Sequence, residues 1–131
     1  MRVFTSSLGA YTGEDRFNIT RQSGGPPGEP FAPRDDVFRA AVKRKMDLQH
    51  RRTRASSMTH VELVQQQWRE YAEAYLAWIK DSHRLHPEAW RALLARDEVT
   101  LVCYCAIPTR CHRSLLAAHL VGLGAIYEGE R

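Results

Sequence analysis

A chain of 131 residues, 44% hydrophobic and 26% charged, is long enough for one domain with a single sizeable core. No apolar run approaches the about 18 residues of a membrane helix, which excludes a membrane-spanning reading. The formal charge of +4 is uneven: residues 34–54 carry eight Lys/Arg and three Asp/Glu, a local +5, and the remainder sums to −1.

In chain order, RVFTSSL (2–8) reads as a first strand and RFNIT (16–20) as a second, with turn residues YTGED between them. QSGGPPGEPFAP (22–33) is too rich in Gly and Pro for a helix or a central strand and is expected as a loop. Asp35 or Asp36 can open a helix to about Leu48, extending toward the basic RRTR. Thr59 and Glu62 form a capping box for the next helix. Its apolar positions Val61, Val64, Trp68, Tyr71, Tyr75 and Trp78 recur at steps of three and four, one face expected to pack on the sheet. Pro87 suits the first turn of a short helix carrying Trp90, Leu93 and Leu94. VTLVCYC (99–105) has the β-branched, apolar character of a buried strand. A helix follows from about Cys111 to Val121, closed by Gly122 or Gly124, and residues 125–128 make a last strand. The order predicts an α/β fold: one three-layer domain over residues 1–131, a small, mainly parallel sheet flanked by helices, and a C-terminal βαβ unit.

All three cysteines fall in LVCYCAIPTRCHRSLLAAHL (101–120). Three thiols cannot all pair, and the N-terminal MRVFTSSLGAYTG lacks the apolar core of a secretory signal, so a reducing cytoplasm is the expected compartment. Cys111, His112 and Arg113 would occupy a first helical turn after the carboxyl end of a strand, where unpaired backbone N–H groups favour anions. A charge there gains about 0.3–1 kcal/mol, enough to make Cys111 the expected most acidic thiol and, beside His112, a candidate catalytic nucleophile. Arg21, Arg110 and Arg113 are the candidate anion-binding groups, for a small nucleotide or phosphate-like ligand. A second chemistry is zinc held by Cys103, Cys105, Cys111 and His112. Against it, Cys-x-Cys followed by adjacent Cys-His lacks the usual two-residue spacing, and neighbouring residues at a helix start are expected to diverge. A phosphatase-like Cys-x5-Arg loop fails because Cys105 to Arg110 is one residue short. The basic 39–54 segment, with Lys43, Arg44, Lys45, Arg51 and Arg52, offers either a nucleic-acid contact or a solvated face. His119, set among Leu115, Leu116 and Leu120, reads as a core or boundary histidine. With neither a Gly-rich phosphate loop nor a carboxylate pair, these residues assign no reaction, and the pattern assigns no oligomeric state.

The Cys-x7-Cys-His-Arg spacing resembles the signature of a bacterial and phage family known as domain of unknown function 488. The resemblance places Cys103, Cys111, His112 and Arg113 on matching positions, with Cys105 standing where the family usually has glutamate. RFNITRQSGG is more weakly similar to an early family strand, and only Arg21 carries over. FAP (31–33) is similar to a segment in one family branch. The resemblance implies an α/β fold with a shared site and no established reaction.

Overall fold

β-Branched residues run through both Arg2–Ser7 and Glu98–Cys103, and in the computed structural model, which describes residues 1–51, 59–105 and 110–131, these segments form the two central strands. The elements in order are β1 (Arg2–Ser7), β2 (Arg16–Asn18), α1 (Gly25–Gly28), α2 (Asp35–Arg51), α3 (His60–Leu85), α4 (Pro87–Leu94), β3 (Glu98–Cys103), α5 (His112–Gly122) and β4 (Ile126–Glu130). The sheet order is β2-β3-β1-β4 and every pairing is parallel. The βαβ unit β3–α5–β4 is present, with β1 lying between its two strands. Gly124, at φ 105°, turns the chain from α5 into β4 in a backbone region that side chains disfavour. No helix among the described residues is long and apolar enough to cross a membrane.

Strand alternation sorts the central residues onto two faces. Val3, Val99, Leu101 and Cys103 join a core with Tyr75, Ile79, Trp90, Leu116 and Leu120. The other face carries Phe4, Ser6 and Thr100. There the Arg131 guanidinium lies 3.5 Å from the centroid of the Phe4 ring, and the Thr100 hydroxyl donates to Asp15 at 2.7 Å.

The capping box at Thr59 and Glu62 forms as expected and starts α3. Only the second half of its aromatic stripe reaches the core: Val61 is 62% exposed and Trp68 half-buried, whereas Tyr75 and Trp78 are buried. These buried side chains also satisfy the loop before α2. Tyr75 donates to the Phe31 carbonyl at 2.7 Å, Trp78 to Ala32 at 2.8 Å, and Ser82 to Pro30. A buried carbonyl without such a donor would cost about 1–3 kcal/mol, so α3 is what makes the Pro-rich segment an ordered wall.

That segment was expected to hold no helix, yet Gly25–Gly28 makes a single turn. Pro26 and Pro27 sit at its first positions, where a missing N–H leaves no bond unmade. The turn lies directly on the end of β2: a Cβ on Gly28 would collide with the Asn18 carbonyl oxygen, and one on Gly24 would stand 2.8 Å from the same atom. That atom is backbone and cannot swing aside. Gly28→Ala is therefore expected to lose about 1–3 kcal/mol, seen as a lower urea midpoint at unchanged slope.

Candidate metal centre

β3 delivers Cys103 to the core-facing side of the sheet, opposite Ser7 of β1. The strand ends there, two residues short of the expected Cys105. Tyr104 turns out to solvent and Cys105 comes back half-buried. Cys111 is the N-cap of α5 in an extended conformation, φ −142° and ψ 147°, and its side chain makes no capping bond. Its sulfur joins the others instead. The three cysteine sulfurs and a His112 ring nitrogen all lie within 4.8 Å of one another. Neighbouring residues at this helix start were expected to diverge. They converge because Cys111 is still extended while His112 is already helical.

His112 shows which nitrogen faces the sulfurs. Its Nε2 lies 2.8 Å from the Ile19 carbonyl oxygen, which can only accept, so Nε2 carries the proton. Nδ1 is then an unprotonated lone pair, 3.9 Å from the Cys111 sulfur. Burial holds the ring below its ordinary pKa, so it is neutral near pH 7. A ring that donates one N–H to a carbonyl and presents the other nitrogen to a donor cluster is arranged as metal-ligating histidines are. Sulfurs around a tetrahedral zinc, with bonds of about 2.3 Å, stand about 3.8 Å apart, so the donors fit a single ion after a movement of about 1 Å.

Arg113 is 1% exposed and lies among the same atoms. Its Nη1 donates to the Cys103 sulfur at 3.2 Å and to the Cys105 carbonyl at 2.8 Å, and approaches the Cys111 sulfur at 3.7 Å. Its Nη2 pairs with Glu130 at 2.7 Å. Hydrogen bonds from the Cys105 and Cys111 thiols, aided by the Arg113 guanidinium, hold Cys103 far below the usual thiol range. Donation to Cys103 pushes Cys105 up to about 11, and the same cause, with burial, pushes Cys111 up. Cys111 is thus pushed up where its helix-start position alone would lower it, and the guanidinium touches the Cys103 sulfur more closely. Across the cluster Tyr71 and Tyr75 lie on α3, Tyr75 with its ring 5.7 Å from that of His112; burial pushes both phenols up and keeps them neutral.

Of the other expected residues, Arg21 is exposed, donates to Asp35 at 2.8 Å and stacks over Phe38. Its strand ends beside the site through the Ile19 carbonyl, but its charge is directed at α2. Arg110 is exposed at the return of the chain. Lys43 and Lys45 are exposed on α2, whereas Arg44 pairs with Glu70 of α3 at 2.9 Å. Arg52 lies outside the described residues, as does the Arg51 side chain. His119 is a boundary residue with its ring edge-on to Trp90. Two partners had no local signal in the sequence. Glu130 ends β4, beyond the rest of α5 from Arg113, and the Ile19 carbonyl is backbone.

The family model described as the active DUF488-N3 subclade matches residues 31–122. That span includes the cluster and excludes Arg21 and Glu130. It is more than half of the chain, which therefore belongs to this family. No curated protein and no solved structure matches the chain.

Proposed function

We propose that this member of the DUF488 family is a metal-binding protein whose Cys103, Cys105, Cys111 and His112 hold one zinc ion. Three thiols and an imidazole gathered within 4.8 Å of one another favour zinc over the harder cations that take oxygen donors. The observation that carries the reading is His112, with its Nε2–H committed to Ile19 and its Nδ1 aimed at the sulfurs. Four protein donors leave no open position, which is the pattern of a structural centre. Bound there, the ion would clamp the end of β3, the start of α5 and, through His112, the end of β2. Three thiolates and a neutral imidazole around a dication sum to one negative charge, and the buried Arg113 beside it, also paired with Glu130, offsets part of that charge. The guanidinium is thus engaged inside the protein, which supports a metal centre over a clamp for a nucleotide or other small anion.

The test is metal content in protein expressed without a polyhistidine tag. One zinc per chain is expected, lost in Cys111→Ser and in His112→Ala. A wild-type chain that takes up no zinc while all three thiols titrate freely would contradict the reading. One contact favours a second reading, a nucleophilic thiolate, because Arg113 lies 3.2 Å from the Cys103 sulfur. In that reading Cys103 carries the reactive sulfur, and the same metal assay separates the two.

A further inference from the structure

We infer that the centre is also an oxidation site, at which a hydroperoxide joins Cys105 to Cys111 and expels the ion. The inference rests on the metal reading above and concerns how that site is regulated. Cys103 and Cys111 are buried, and Cys105 alone of the three is partly open to solvent. The exposed Tyr104 before it marks where the chain reaches the surface. Arg113 holds the Cys105 carbonyl at 2.8 Å, so this accessible sulfur stays beside the cluster.

The resolving partner follows from the same geometry. Cys103 and Cys105 are separated by one residue, a spacing that does not close an easy disulfide. The Cys103 sulfur is also the one Arg113 approaches most closely. Cys111 remains, with its sulfur within 4.8 Å of the other two. The Cys105 thiolate attacks the O–O bond, becoming a sulfenic acid and releasing the alkoxide or hydroxide of the peroxide. The Cys111 thiolate then attacks that sulfur, the S–O bond breaks, and hydroxide leaves. Two electrons pass from the sulfurs to the peroxide, and both leaving oxygens take protons from solvent. Two donors remain for the ion, too few to hold it. Cys103 keeps its thiolate against Arg113, so the buried charge pair survives and the fold is retained.

The experiment treats the zinc-loaded chain with hydrogen peroxide in the presence of a chromogenic zinc chelator. One zinc per chain is expected to appear with the time course of the loss of two thiols. Peptide mapping should link residues 105 and 111, far-ultraviolet circular dichroism should be unchanged, and dithiothreitol should restore zinc binding. With dimedone present during the oxidation, the trapped sulfenic acid should fall on Cys105. Zinc retained after oxidation, a link through Cys103, or a sulfenic acid trapped at Cys103 or Cys111 in place of Cys105 would overturn the inference. Failure to load zinc at all appears before any oxidant is added and overturns the metal reading instead.

Discussion

Arg113→Leu is expected to lower the free energy of unfolding by about 3–5 kcal/mol, the loss typical of removing one member of a buried charge pair. The guanidinium is 1% exposed and bridges β3, the segment after it and β4 through Cys103, the Cys105 carbonyl and Glu130. Leucine fills much of the volume, so the cavity term is small and the loss comes from unpaired groups. The Cys105 carbonyl loses its donor, at about 1–3 kcal/mol, and the Cys103 thiolate loses its cation. Replacing a whole buried pair by apolar residues can be neutral, but here only one partner changes. Arg113→Lys keeps the charge without the planar fork that reaches Cys105 and Glu130 together, so it should fall between the two. Urea denaturation of the three proteins checks the order. Equal midpoints for wild type and Arg113→Leu would mean that the buried charge has no structural work here.

The second large effect is that of metal on thermal stability. Zinc at a free concentration of about 100 times its dissociation constant adds about 2.7 kcal/mol, since it binds the folded state. For a chain of this size that raises the melting temperature by about 10 °C over the chelator-stripped protein. The increment should grow as pH rises through neutrality. Binding requires thiolates, and Cys105 and Cys111 are held protonated by their bonds to Cys103, so zinc must displace their protons. His112 acts in the same direction, below its ordinary range. Its folded pKa is lowered, so from about 6.5 downward the unfolded chain binds a proton that the folded chain refuses, and stability falls with falling pH. Calorimetric scans of stripped and loaded protein at several pH values give both slopes. A zinc increment that shrinks as pH rises would contradict thiolate ligation.

Much of the fold is legible in local patterns. The apolar run at 99–105, the capping box at Thr59 and the glycines after Val121 each name an element, because each is a property of adjacent residues. Topology is not local: nothing in RVFTSSL says that β1 lies between β3 and β4, since a parallel register is set by helices packed far along the chain. The single turn in GPPG was hidden for another reason, because its composition opposes helix and its close fit on Asn18 is a contact between segments that no local pattern announces.

The site divides in the same way. Its residues stand out in the sequence, since all the thiols sit within nine positions beside His112 and Arg113. Their surroundings are less legible, because contacts from distant segments add effects that a local argument does not contain. Cys111 is at a helix start, which ordinarily lowers a thiol pKa by a fraction of a unit, but donation to the Cys103 thiolate is a nearer and larger effect. Arg113 reads as a clamp for an external anion because its counter-ions, Cys103 and Glu130, are brought to it by two different strands.

The claim that most needs direct measurement is the donor set. X-ray absorption at the zinc edge of the loaded chain should show three sulfurs at about 2.3 Å and one nitrogen at about 2.0–2.1 Å, with one sulfur lost in Cys105→Ser. A shell of oxygen and nitrogen alone, or a spectrum unchanged by substitution at Cys105, Cys111 and His112, would place the ion elsewhere and contradict the account.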